Sequence, residues 1–152
     1  MKIYIVVLFF IISSIAVSVA QTDEPSVEQK QKMETFWKKF VTDLSKNNRE
    51  VVKESILFPL DVECAIGTQN GITVKEFEDN FEFFFPKERV KKMKKSTVSS
   101  LKWTINYSNL HKDVSKNGFL ASYNYKNGFG ISMQFSEVNG EFKLVYFICS
   151  TP

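Results

Sequence analysis

From Leu101 to Cys149 apolar and polar residues alternate in four successive runs, and this pattern limits the chain more than any other feature it carries. Leu101, Trp103, Ile105 and Tyr107 alternate with Lys102, Thr104 and Asn106. Phe119, Ala121, Tyr123 and Tyr125 alternate with Ser122, Asn124 and Lys126. Phe129, Ile131, Met133 and Phe135 alternate with Gly130, Ser132, Gln134 and Ser136. Successive side chains of a strand point to opposite faces, so a period of two predicts strands with one face buried. Asn139-Gly140 is a strong hairpin signal, and the run Glu141 to Cys149 that follows reads as a last strand, apolar on both faces apart from Lys143. The inward set then adds Phe142, Leu144, Tyr146 and Ile148. That face holds no Asp, Glu, His, Lys or Arg, which leaves tyrosine hydroxyls and the Trp103 indole as its polar tips.

The first half follows a different period. Met33, Phe36, Trp37, Phe40, Val41 and Leu44 fall at i, i+3, i+4, i+7, i+8 and i+11, the stripe of an amphipathic helix. Asn47 with Glu50 three residues on reads as the start of a second helix, closed at Phe58-Pro59. Asp61 to Ile66 is strand-like, and Gly67 to Gly71 is a turn. Thr73 with Glu76 forms a capping box for a third helix bearing Phe77, Phe81, Phe84 and Phe85, and Pro86 opens a short continuation to Lys95.

The amino terminus has its own logic. Met1-Lys2 precedes the apolar run Ile3 to Ile12, and after Ser13-Ser14 the segment ends on Ser18 and Ala20 before turning polar at Gln21. This predicts a signal peptide over 1–20, cleaved near Ala20, and a secreted or periplasmic destination. An uncleaved anchor is the alternative, since Ile3 to Ala20 approaches a bilayer-spanning length. No cysteine lies near the cleavage point, which argues against a lipoprotein. Residues 21–27 read as a disordered lead-in and 28–152 as a single domain.

Twenty basic against 17 acidic residues leave a mildly basic chain, a balance that gives no nucleic-acid signal. The most charged stretch is Lys87 to Lys95, with Val90 and Met93 to anchor one side. It reads as a solvated face or as a contact for an anionic surface. His111, the single histidine, has no second ligand nearby in the sequence, and the cysteines fit no metal spacing, so no metal or other cofactor is expected. Cys64 and Cys149 leave a disulfide or two buried thiols open. Asn106-Tyr107-Ser108 matches the glycosylation pattern, which matters only in a eukaryotic secretory route.

In their order, Phe36-Trp37-x-x-Phe40, Ile56-x-Phe58-Pro59-Leu60, Ile72-Thr73-x-x-Glu76-Phe77 and Asn139-Gly140-Glu141-Phe142-Lys143-Leu144 carry a likeness covering about Glu28 to Ser150. The chain resembles the nuclear transport factor 2-like family, the cystatin-like α+β cone that includes ketosteroid isomerase and scytalone dehydratase. The resemblance implies three N-terminal helices packed on a curved, mainly antiparallel sheet, often with a pocket between them. Fold alone does not fix function. Such a pocket here takes its lining from Trp103, Tyr107, Tyr123, Tyr125, Met133 and Tyr146, and the bland alternative is a filled core.

Ketosteroid isomerase-like enzymes hold a carboxylate in the region of Asp61 and Glu63, which makes these two the weak catalytic candidates. With Val62, Cys64 and Ile66 inward, however, both face water. The resemblance also sets the short strand beside the last one, favouring a Cys64–Cys149 bridge, while strand parity puts Cys149 on the opposite face with Lys143, Val145 and Phe147. Family members pair through the outer side of the sheet, where Leu120, Val145 and Phe147 offer a small apolar patch for a homodimer. The leading expectation is an exported, non-enzymatic domain that binds a small apolar or aromatic molecule or a protein partner. The alternatives are an isomerase- or dehydratase-type enzyme using a pocket carboxylate with a tyrosine, and a dimeric interaction module.

Overall fold

The structure, a computed structural model, describes residues 24–67, 69–111, 114–125 and 128–150. The expected signal peptide, its cleavage position and residues 21–23 of the lead-in lie outside them. Among the described residues no helix is long and apolar enough to cross a membrane.

Helix α1 (Val27–Ser45) starts inside the stretch expected to be a lead-in. Ser26 Oγ accepts from the Gln29 N–H while Gln29 Oε1 accepts from the Ser26 N–H, so two amides that have no partner within the helix are satisfied reciprocally. The expected stripe is the buried one: Met33, Trp37, Phe40, Val41 and Leu44 face the core, with Phe36 half-buried.

Asn47 takes a left-handed conformation, φ 55°, and turns the chain into α2 (Arg49–Glu54). The expected capping box there does not form; Asn48 is the N-cap and its side chain makes no cap bond. The helix also ends earlier than Phe58-Pro59. Ile56 already pairs with Leu144 and the Leu144 N–H donates to the Ser55 carbonyl, so a ready strand partner overrides helix continuation. Ile56–Glu63 is strand β1, with a cis Phe58–Pro59 peptide bond.

Thr73 and Glu76 form the capping box of α3 (Val74–Asp79), and Asn80 breaks the expected single helix into α3 and α4 (Phe81–Phe84). Phe77, Phe81, Phe84 and Phe85 are nonetheless all buried. After Pro86 comes α5 (Lys87–Met93), whose Arg89 folds back to donate to the Phe83 and Phe84 carbonyls and, through Nε, to Tyr125 Oη at 3.0 Å. A buried guanidinium here satisfies carbonyls at the end of α4 that have no helical partner.

A 3₁₀ turn (Val98–Ser100) leads to β2 (Lys102–Ile105), β3 (Asn117–Asn124), β4 (Gly130–Val138) and β5 (Glu141–Ser150). The sheet runs β1-β5-β4-β3-β2; β1 lies parallel to β5 and the other pairings are antiparallel. The fold is therefore α+β with a mixed, mainly antiparallel sheet. Asn139 (φ 51°) and Gly140 (φ 85°) supply the two left-handed residues that a two-residue hairpin between β4 and β5 requires.

One irregularity reorganises the sheet faces. Phe135 pairs with Leu144 but Gln134 pairs with Tyr146, which leaves Val145 as an extra residue in β5. Beyond it the alternation reverses. Phe147 joins the core opposite Met133, and Cys149 lies opposite Ile131; Tyr146 and Ile148 move to the other face with Gln134 and Ser132. The helices cover the first face, where Phe135 packs within 5.6 Å of the Phe36, Trp37 and Phe40 rings.

Candidate functional site

The six residues expected to line a pocket do not come together. Met133 has no exposed surface. Tyr123 is buried in the core and donates its hydroxyl to Ser96 Oγ at 3.3 Å, with burial holding its pKa above the usual tyrosine value. Tyr125 is half-buried beneath Arg89 and the Lys92 ammonium, 3.9 Å from its ring centroid. Trp103 packs on Phe119 at 4.9 Å. The bulge carries Tyr146 to the opposite face, where Tyr107 also lies at 6.4 Å between ring centroids. The principal clefts among the described residues are lined by none of the six. Two more of the expected inward positions are exposed, Ile105 at the end of the sheet's β2 edge and Phe129 in the approach to β4.

Asp61 is buried, contrary to the expectation that it faces water. It does sit on the predicted face, but residues 106–111 cross over that face and cover it. Asp61 Oδ2 accepts from Ser108 Oγ at 2.9 Å and from the Asn109 and Leu110 N–H groups at 2.8 and 3.4 Å. Gln134, fully buried, accepts from the Tyr107 N–H at 2.8 Å and donates to the Ile105 carbonyl at 2.7 Å. His111 closes the same loop: its Nε2 donates to the Pro59 carbonyl at 2.8 Å. These are staples, tying residues 105–111 to Pro59 and Asp61 of β1 and Gln134 of β4, mostly through backbone groups.

Glu63 is exposed, as expected. Burial, reinforced by a hydrogen bond to Glu63, raises the Tyr146 hydroxyl well above the ordinary tyrosine range. The two carboxylates are thus divided, Asp61 locked under the loop and Glu63 at the rim of a cleft of about 380 Å³ beside the disulfide and Phe83.

Cys64 and Cys149 are bonded to each other across 85 positions of sequence. The bulge at Val145 is what makes this pairing compatible with strand parity. The same bulge removes the expected outer patch: Phe147 is in the core, Val145 is fully buried and Leu120 is half-buried.

A cleft of about 610 Å³ opens between α1 and the β4–β5 hairpin over Phe36 and Phe142. Its lysines are neutralised: Lys32 pairs with Glu28 and Glu137, Lys39 with Asp43, and Lys143 with Glu141. The seam between α1 and α5 is different. Two clefts of about 570 and 370 Å³ share Ser45 and Lys94, and a third of about 260 Å³ adjoins the first at Trp37, Lys38 and Ser96. Lys38 on α1 and its C-cap Lys46, with Lys87 and Lys91 on α5 and its C-cap Lys94, line this seam, all exposed and none ion-paired with a described residue. Spacings of i, i+4 and i+8 on α1 (Lys38, Thr42, Lys46) and of i, i+3, i+4 and i+7 on α5 (Lys87, Val90, Lys91, Lys94) put them on one face of each helix. Sequence reasoning singled out the α5 lysines but not their α1 partners, although the i, i+8 spacing of Lys38 and Lys46 was there to be read.

Among the described residues no group of three or more His, Cys, Asp or Glu side chains is placed to hold a metal ion. No protein-family model matches the chain, and no curated protein matches it.

Proposed function

We propose that this chain is an exported, non-enzymatic binding domain on the cystatin-like cone of the nuclear transport factor 2-like family, and that it meets its partner on its exterior. The observation that carries this reading is the filled interior between α1 and the sheet. Met33, Phe40, Met133, Phe135 and Leu144 leave essentially no exposed surface, the Trp37 indole and Tyr123 hydroxyl are held by Ser96, and the buried Trp103 N–H has no partner among the described residues. A close-packed interior has no room for a drug-sized ligand, which needs roughly 300 Å³ or more. The Cys64–Cys149 bridge supports export, since disulfides persist in oxidising compartments.

An isomerase- or dehydratase-type enzyme has one observation in its favour, the burial of Asp61 on the face it shares with Tyr146. Against it, Asp61 already accepts three hydrogen bonds, and the principal clefts are not lined by it. A general base needs a substrate proton within hydrogen-bond reach.

The methionines test the filled interior directly, because Met33, Met93 and Met133 are all fully buried. Methyl NMR under xenon pressure should leave their signals without saturable shifts. A saturating shift at Met133 means a cavity and returns the small-ligand reading to first place.

A further inference from the structure

We propose that the α1–α5 seam is a docking trough for an acidic peptide segment carrying apolar side chains. This deepens the reading of an exterior binding domain and rests on it.

The argument is one of charge and shape. The three adjoining clefts run from Glu34 to Ser45, about 17 Å along α1 at 1.5 Å per residue, enough for a short segment of another chain. Five lysines rim the trough without an acidic partner among the described residues. Of its two acidic lining residues, both at the ends, Glu82 is neutralised by Arg49 at 2.8 Å. Lys32, Lys39, Lys53 and Lys75 hold carboxylates, and lysines outside the trough with no described acidic partner, such as Lys102, are not gathered around a cleft. Clustered unpaired cations concentrate anions and speed their encounter. The thin exposed edges of Trp37 and Val41 contribute to the floor. An apolar floor between charged rims suits a peptide that alternates acidic with apolar residues better than it suits a sulfated polysaccharide, which has nothing apolar to place there. The concave shape likewise disfavours a flat membrane surface.

The probe is a fluorescein-labelled ten-residue peptide alternating glutamate and leucine, followed by anisotropy against the mature protein. Two double variants carry the same change in net charge: Lys91→Glu/Lys94→Glu inside the trough, and Lys102→Glu/Lys116→Glu at exposed lysines outside it that pair with no described carboxylate. Trough reversal should weaken binding about tenfold or more while the outside pair changes it less than about twofold. Thermal unfolding of both variants guards against misfolding. Equal weakening by the two pairs, or no binding of the peptide, overturns the trough and leaves the exterior-binding reading standing. A heparin fragment that binds more tightly than the peptide, with the same sensitivity to the trough variant, overturns the peptide and assigns the trough to a polyanion. Anionic vesicles doing so overturn it in favour of a membrane. Failure of the parent reading looks different, as a saturable xenon shift at Met133.

Discussion

Gln134 on β4 lies opposite Tyr146 on β5, although its neighbour Phe135 lies opposite Leu144. The extra residue, Val145, reverses which side chains of β5 reach the core, and the disulfide and the buried outer-face cluster both depend on that reversal. Deleting Val145 restores simple alternation, turning Tyr146 inward and Phe147 and Cys149 outward. The deletion variant should expose the Cys149 thiol in a native-state thiol assay, where the parent chain exposes none, and release two thiols on denaturation. Silent thiols in a folded deletion variant contradict this role for the bulge.

The bridge between Cys64 and Cys149 closes a loop across 85 positions, joining β1 to its parallel neighbour β5 near their ends. In the chain-entropy view such a loop stabilises by about 4 kcal/mol. Replacing both cysteines with serine should lower the urea midpoint correspondingly. An unchanged midpoint means that the β1–β5 pairing holds without the covalent link.

Thr73 and Glu76 set the start of α3. The Thr73 N–H, and then its hydroxyl, donate to the Glu76 carboxylate and hold its pKa below the usual glutamate value. A carboxyl depressed in the folded state stabilises above its unfolded pKa, and this contribution is lost as pH falls through the folded value. Thr73→Ala should cost about 1 kcal/mol. It should also move the NMR titration midpoint of Glu76 upward, towards the ordinary value. No movement means that the Thr73 hydroxyl contributes nothing to the depression and the Thr73 N–H alone supplies it.

Tyr146 behaves in the opposite sense. Burial first, and the Glu63 hydrogen bond second, raise its pKa far above that of an exposed phenol. A group raised on folding favours the folded state below its unfolded pKa, and that stability drains away as pH rises towards the folded value. Ultraviolet titration should therefore show Tyr146 still protonated where exposed tyrosines have ionised, and Tyr146→Phe should flatten the alkaline loss of stability. Ordinary titration of Tyr146 contradicts its placement under the loop.

What the sequence revealed follows from how local each determinant is. The α1 stripe, the Thr73–Glu76 box and the Asn139-Gly140 turn are written in neighbouring residues, and all three form as expected. The end of α2 was misread because Ile56 to Phe58 can continue a helix or extend, and the choice belongs to β5, almost ninety residues away. The bulge at Val145 leaves no mark in β5, whose residues are apolar on both faces. Missing it misassigned Tyr146, Phe147 and Cys149 together. Asp61 was misjudged for a related reason: its parity was read correctly, but a loop 47 residues distant supplies its cover. The lysine-rimmed seam needs two helices brought together, which only the tertiary structure provides.

The most direct test of the whole account is native mass spectrometry of the protein purified from its own host. We expect the bare chain, oxidised at Cys64 and Cys149, or a complex with another macromolecule. A reproducible small-molecule mass, released when the protein is denatured, contradicts the account, because it requires an interior site where the structure has a packed core.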